Sequence, residues 1–394
     1  MRVHLNEVPV GTLSIDASGA TQFRLLQSYR DAYPRPVLGQ VFLDDLDRTQ
    51  TTRARVPPWF SNLLPEGPLR SLVAKAAAVA PEQEYALLHY LGLDLPGAVR
   101  IVPDETSAAA AADSVASTPG DGSDGLHFSL AGVQLKFSAN RDHRGLTIPA
   151  SGLDGDWIVK LPDARFPEVP QNEFATMQWA RASGIEVPEI DLVPLADIGG
   201  LPPSNFGVRD TSALAVRRFD RPAPGLRTHI EDFAQVLGLY PEQKYQRHNY
   251  ETLARLVLAL TGPTGLNEFL LRLVFVVASG NGDAHHKNWS LIYRDPTTPQ
   301  LSPAYDLLST IQYLPRDGLA LNLARSKSWA DVSIESFQRM ARKLLLDEQA
   351  FVEQVRRSSA AVLDAWRAAA GDFGFDKTAR EVIDSHIRSI PLFR

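Results

Sequence analysis

N-G-D-A-H-H-K-N-W-S, Asn281 to Ser290, places six charged, metal-binding or hydrogen-bonding side chains within its first eight residues. An apolar run, Phe269 to Val277, leads into it and is broken by Gly280 and Gly282. Phe269, Leu270, Leu273, Val274 and Val277 recur at i, i+1, i+4, i+5 and i+8. That is the spacing of a largely buried helix ending at the glycines, although a buried strand also fits so short a run. Downstream, Trp289 to Tyr293 is strand-like, and R-D-P-T-T-P, Arg294 to Pro299, reverses the chain. The two arms have similar lengths, so Asp306 is expected back beside Asn288. Asp283, Asn288 and Asp306 are then expected at one rim.

Those groups suit phosphoryl transfer to a hydroxyl, which needs one carboxylate to orient the hydroxyl and hard oxygen ligands for magnesium on the nucleotide phosphates. Protein kinases place four residues between a catalytic Asp and a metal-binding Asn, with a metal-binding Asp beyond a hairpin. Asp283 and Asn288 have the same spacing, and Asp306 lies in the same direction. Alone, two acids and an amide in a loop are as readily surface decoration.

The 394 residues suffice for two or three domains with substantial cores. A hydrophobic fraction of 44% and a charged fraction of 22% are ordinary for a globular protein. The net charge of −6 argues against a chain that binds nucleic acid mainly by itself. Cysteine is absent, which excludes disulfides, thiolate zinc sites and a cysteine nucleophile. The N-terminus lacks a signal-peptide core, and charges such as Arg272 are expected to keep every apolar run below membrane-spanning length. A cytoplasmic protein with no membrane association is expected.

Along the chain, Met1 to Asp16 alternates like a hairpin of strands. Pro57 to Gly67 (P-P-W-F-S-N-L-L-P-E-G) reads as a rigid loop, followed by a helix from Leu69 and another over Glu84 to Gly92. Asp104 to Gly125 is almost entirely Ala, Ser, Gly, Asp and Thr and reads as a linker. Leu126 to Pro162 reads as strand, turn, strand, strand. Its Ser129–Gly132 turn could bring backbone N–H groups to phosphate oxygens, or be an ordinary hairpin turn. Trp157 to Pro162 is a strand bearing Lys160, either solvent-facing or reaching phosphates while an acid orients it. Glu173, on or beside the packed face of a helix ended by Gly184, is the candidate acid. Ala213 to Arg221 is expected to be a strand passing between lobes. Thr228 and Glu231 read as a capping box. Amphipathic helices follow around Phe337–Leu344 and Val355–Trp366, whose apolar residues belong to a core.

With these pieces in order, the chain resembles the HipA-type Ser/Thr kinases, toxins of bacterial toxin–antitoxin pairs. The resemblance rests on N-L-L-P-E-G (Asn62–Gly67), G-A-V (Gly97–Val99), S-L-A-G-V-Q-L-K (Ser129–Lys136), I-V-K-L-P around Lys160 and N-E (Asn172–Glu173). It continues through R-R-F-D-R (Arg217–Arg221), E-D-F-A-Q-V-L-G (Glu231–Gly238), K-Y (Lys244–Tyr245), N-x-D-x-H-x-K-N (Asn281–Asn288) and P-x-Y-D (Pro303–Asp306). It implies an α+β, bilobal, protein-kinase-like fold, with a β-rich N-terminal lobe, an added N-terminal subdomain and a mainly helical C-terminal lobe. The expected divisions are 1–103, a linker 104–125, an ATP-binding lobe 126–221 and a helical lobe 222–394.

Carried onto matching positions, the resemblance implies Asp283 as the catalytic Asp that orients the acceptor hydroxyl and Asn288 and Asp306 as Mg2+ ligands. Lys160, oriented by Glu173, would hold the phosphates of ATP. Ala131, Gly132, Val133, Gln134, Leu135 and Lys136 would cover those phosphates, and Arg217, Arg218 and Phe219 would contact the adenine, mainly through backbone. His285, His286, Lys287 and Tyr305 would finish the pocket. Arg217 stands where an acidic residue is common in the family. Ser129 matches the autophosphorylated serine, whose added charge of about −1.5 to −2 would expel the loop and switch the enzyme off. The implied partners are a HipB-type helix-turn-helix antitoxin, operator DNA mainly through it, at the nucleoid when so bound, and a cytosolic protein substrate; family targets include aminoacyl-tRNA synthetases. Three other readings remain: a phosphoinositide-kinase-like small-molecule or lipid kinase, a metallohydrolase built on Asp283, His285, His286 and Asp306, and a non-catalytic binding module.

Overall fold

The computed structural model describes residues 1–104, 135–142, 145–149, 155–163, 165–201 and 211–394. The anticipated linker beyond Asp104, together with Ser129, Ala131, Gly132, Val133 and Gln134, lies outside them.

Alternation at the N-terminus produces the expected hairpin. Strands β1 (Arg2–Leu5) and β2 (Val8–Ile15) bury Val3, Leu5, Val10 and Leu13 on one face. With β3 (Ala20–Leu25), β4 (Gln50–Arg53) and β5 (Val99–Val102) they form an antiparallel sheet in the order β4-β3-β2-β1-β5. Its core is aromatic: Phe60 meets Phe23 and Trp59 edge-on at 4.6 and 5.0 Å between centroids. Edge-on geometry sets each ring's positive rim on its neighbour's negative face.

A second sheet joins β6 (Lys136–Asp142), β7 (Gly145–Thr147), β8 (Trp157–Lys160), β9 (Ile190–Pro194), β10 (Ile198–Gly199) and β11 (Ser212–Arg217) in the order β10-β7-β6-β8-β11-β9. Lys160 lies opposite Lys136 on one side and Leu214 on the other, so β8 is interior to the sheet. The last strand stops at Arg217, short of the expected Arg221. Arg218, Asp220 and Arg221 instead turn into a buried cluster with Asp94, where Arg221 reaches Asp220 at 2.7 Å and Arg218 reaches it at 3.0 Å. Asp220 also accepts the Gly97 N–H at 2.8 Å, stitching the N-terminal region to this sheet.

The helix Val169–Ala182 packs beside β11 yet buries Met177, Trp179 and Ala180 in the core of the helical lobe. Trp179 donates to the Val362 carbonyl at 3.0 Å and its ring lies 4.9 Å from Phe275. This helix is therefore shared between the lobes.

In the C-terminal lobe, Asn249 caps the helix Tyr250–Ser279, its side chain accepting the Thr252 N–H at 2.9 Å. Phe269, Leu270, Leu273, Val274 and Val277 are all buried on it, which decides for helix over strand in that run. Gly262, with φ 71°, and Pro263 kink it. Two expectations are corrected here. By length and composition this helix is long and apolar enough to cross a membrane despite Arg272, which is buried and ion-paired to Glu268 one turn away. More than half of the apolar window is buried in the protein's own core. The capping box is also not Thr228 with Glu231. Residues His229–Asp232 form β12, paired to β13 (Ser290–Asp295), so the box falls to Asp232 and Gln235. The third sheet, β12-β13-β14, closes with β14 (Thr298–Leu301), the return arm of the expected hairpin.

Gly280 ends the long helix with φ 61°, and a Cβ there would lie 2.6 Å from the Ile311 side chain. Gly280→Ala combines left-handed strain with overpacking, so it should cost about 1–3 kcal/mol. Denaturant midpoints of the two proteins measure this, and equal midpoints would contradict it.

Candidate active site

The loop after Gly280 is fixed from several directions. Thr310 Oγ1 donates to the Gly280 carbonyl at 3.0 Å and accepts the Gly282 N–H at 2.7 Å. The Asn281 side-chain oxygen accepts the Asp283 N–H at 3.0 Å. Tyr250 and Trp289 both donate to the Ala284 carbonyl, at 3.0 and 3.3 Å. Asn288 completes the turn, its amide nitrogen donating to the Asp283 carbonyl at 2.9 Å. These bonds satisfy the loop backbone while leaving the Asp283 side chain about half exposed (51%).

Opposite stands Lys160, buried in β8, whose ammonium is ion-paired to both Glu173 and Asp306. Burial alone would lower the lysine's pKa, but the two carboxylates outweigh it and raise it. Burial likewise pushes Asp306 up, and Lys160 with Lys136 more than reverses this, holding the carboxyl far below its usual range. For Glu173 burial wins over Lys160, and its pKa is raised. The net state is a cationic lysine held against an anionic Asp306. Asp306 has φ 52°, a left-handed conformation unusual outside glycine and costing of order 1–3 kcal/mol. Its neighbour Tyr305 anchors it by donating to the Lys287 carbonyl at 2.7 Å, and packs 5.7 Å from the Phe219 ring.

The Asn288 amide nitrogen is committed to Asp283, which leaves its oxygen. With the Asp306 carboxylate that makes two hard oxygen donors, the type magnesium takes. Among the described residues no group of three or more His, Cys, Asp or Glu could hold a metal, so the histidine-based metallohydrolase cluster is not assembled. His286 explains why: it is fully buried and its Nδ1 lies 2.5 Å from the Lys244 carbonyl. Burial pushes it down to about 4, and it pushes His285 down to about 3 with the help of Lys244. Both imidazoles are neutral near pH 7.

Not every anticipated pocket residue turns toward this cleft. Lys287 does not: its ammonium bonds Asn62 Oδ1 at 3.1 Å and Glu66 at 3.0 Å, at the N-terminal region. The Arg218 side chain is absorbed by Asp94 and Asp220. The backbone N–H groups of Arg217 and Arg218 are taken by the carbonyls of Glu189 and Asp156, both at 2.8 Å. Phe219 packs beside Tyr305. Leu135 is buried, and its carbonyl accepts the Leu161 N–H at 2.8 Å. Lys136 is exposed opposite Lys160.

A two-lobed α+β fold with a buried lysine–carboxylate pair between the lobes is that of a kinase. Residues 128–366 match the HipA-like C-terminal domain and residues 1–102 the HipA N-terminal domain. The chain belongs to the HipA family of kinases. It is 44% identical to the Sinorhizobium fredii protein Y4dM over all of its own length and 97% of that protein's. It is 28% identical to the serine/threonine-protein kinase toxin HipA of Shewanella oneidensis, covering 79% of this chain and 76% of the toxin. The solved complex of Shewanella oneidensis HipA with HipB and operator DNA has the same fold, with a TM-score of 0.72 at 22% identity over 98% of this chain and 95% of that one.

Three residues beside the site escaped sequence reasoning except as letters in a motif: Glu66, Lys244 and Tyr245. Glu66 receives Lys244 at 2.8 Å and Lys287 at 3.0 Å, so the N-terminal region ends in an ionic latch on the loop bearing Asp283. Burial raises the Glu66 pKa, but Lys287 and Lys244 outweigh it and hold it at about 2. A carboxyl depressed from an unfolded value near 4.5 adds stability that is present above about pH 4.5 and is lost as pH falls toward 2. Glu66→Gln should therefore lower the urea midpoint at pH 6 and remove that part of the acid-side loss. Parallel midpoint-versus-pH curves for the two proteins would show the latch to be energetically silent.

Proposed function

We propose that this chain is an ATP- and Mg2+-dependent serine/threonine protein kinase, the toxin of a HipBA-like module. The observation that carries this is the Lys160 ammonium held between Glu173 and Asp306, across from a loop that presents the Asp283 carboxylate and turns on Asn288. Asp283 accepts a hydrogen bond from the acceptor hydroxyl and orients it for attack on the γ-phosphoryl group. Lys160, kept charged by its two acids, neutralises phosphate oxygens, and Glu173 fixes its direction. Asn288 and Asp306 would supply oxygens for magnesium, which when bound would offset charge on the nucleotide phosphates. Phosphoryl transfer passes through a loose transition state, so positioning and charge neutralisation supply the rate enhancement. Leu135 and Lys136, with Ala131 to Gln134 before them, would cover the phosphates, and Phe219 and Tyr305 would border the base.

Ser129 is proposed as the autophosphorylated residue that switches the enzyme off. The partners proposed are a small HipB-type antitoxin, operator DNA through that antitoxin, and a cytoplasmic protein substrate such as an aminoacyl-tRNA synthetase. The HipA–HipB–operator complex of the Shewanella relative supports the first two.

Asp283→Asn is expected to fold normally, to bind ATP, and to lose phosphotransfer by about 10²–10⁴-fold, the range of an acid–base contribution. Autophosphorylation with labelled ATP reads this, and a mutant retaining wild-type rates would refute the assignment. Ser129→Ala should abolish the major phosphosite seen by mass spectrometry. Transfer to phosphoinositides but not to protein would favour the lipid-kinase alternative.

A further inference from the structure

Tyr245 has no part in the scheme above, yet its hydroxyl donates a hydrogen bond to Asp283 Oδ1. Among the described residues this is the one hydrogen bond to that carboxylate, since His285 Nε2 stands off at 3.9 Å, too far to donate. Among the described residues Asp283 Oδ2 receives none. Tyr245 is exposed at the surface (40%), but it is held in place by its neighbours. It follows the turn Pro241–Gln243, in which Gln243 accepts the Tyr240 N–H at 3.0 Å. The adjacent Lys244 carbonyl receives the His286 N–H at 3.2 Å, and the Lys244 ammonium is held by Glu66 at 2.8 Å. The Tyr245 ring then packs edge-on to buried His285 at 4.8 Å, an interplanar angle of 83°. Backbone and ring are both fixed, so the hydroxyl arrives from a constant direction.

We propose that Tyr245 is a positioning residue for phosphoryl transfer, holding Asp283 by Oδ1 so that Oδ2 is presented to the acceptor hydroxyl. This rests on Asp283 being the acid that orients the acceptor. A half-exposed aspartate on a loop otherwise samples several rotamers, and only some aim an oxygen at the phosphoryl acceptor. A donor to one oxygen selects the rotamer and leaves the other oxygen's lone pairs for substrate.

The test uses the full chain, with autophosphorylation from γ-labelled ATP as the readout. Tyr245→Phe is expected to lower the rate constant about tenfold and to leave KM for ATP within about twofold. That is the loss expected for one hydrogen bond to a charged group. A merely structural tyrosine would lower the melting temperature and leave the rate constant of the folded protein unchanged. An unchanged rate constant, or a loss seen in KM for ATP alone, overturns the proposal. A raised rate also overturns it, and would show the hydroxyl to be a plug in the acceptor's place. If the Phe variant does not fold, 4-fluorophenylalanine and 4-aminophenylalanine at position 245 fill the hydroxyl's place without and with a donor, and equal rate constants overturn the proposal. Asp283→Asn run in parallel separates the two levels. Retained activity there sinks the reading of Asp283 itself, whereas an inactive Asp283→Asn with an unchanged rate constant in Tyr245→Phe sinks only the role of Tyr245.

Discussion

An ammonium buried in the interior strand of a sheet needs counter-charge, and Lys160 finds it on two different elements: Glu173 on a helix and Asp306 on the segment after the hairpin. Breaking such a pair from one side typically costs 3–5 kcal/mol, because the remaining charge stays desolvated. The β8 strand, the helix Val169–Ala182 and the Asp306 turn are therefore tied in position to one another. Asp306 tolerates a left-handed backbone within that constraint, with Tyr305 bonded to the Lys287 carbonyl holding the turn from the other side.

The lobes are joined by more than charge. Trp179 carries the Glu173 helix into the core of the helical lobe, against Phe275 and Trp366, at 4.9 and 4.5 Å between ring centroids. Burial of apolar side chains of this size is worth about 1.5–3 kcal/mol each, so the helix is bolted to the lobe that presents Asp283. Glu173 is thereby placed by packing on the same body as the loop it serves. Asn172, next to it, exchanges hydrogen bonds with the Ser309 backbone at 3.1 Å in both directions. The N-E pair thus locks one end of the helix to the segment that follows Asp306.

The N-terminal region is equally committed. Buried Glu231 accepts hydrogen bonds from Gln40 N at 3.1 Å, from Trp59 at 3.3 Å and from Tyr293. Burial still pushes it up to about 7, and its partners are neutral donors, so the contact is not an ion pair. Glu66 adds the charged contact, to Lys244 and Lys287 on either side of the Asp283 loop. Contacts from the N-terminal region thus reach residues on both sides of the loop that bears Asp283.

Much of this was legible in the sequence. Apolar spacing in Phe269–Val277 with glycines behind it suited a helix ending at the loop, because a 3.6-residue period buries one stripe and Gly280 admits φ 61°, although it took the packing to decide for helix over strand. The turn residues of Arg294–Pro299 specified the hairpin, and hence the return toward Asp306, because strand pairing equalises the two arms. Motif order identified the family. Tertiary structure alone decided which charges meet. Nothing local distinguishes a lysine that pairs with Glu173 from one facing water, and nothing in its spacing sends Lys287 to Glu66 rather than to a nucleotide. The same holds for Arg218, drawn into a buried acid cluster, and for Tyr245, which lies 38 residues from the aspartate it bonds. Periodicity is a property of neighbours along the chain, whereas ion pairs and hydrogen bonds depend on which surfaces burial presses together.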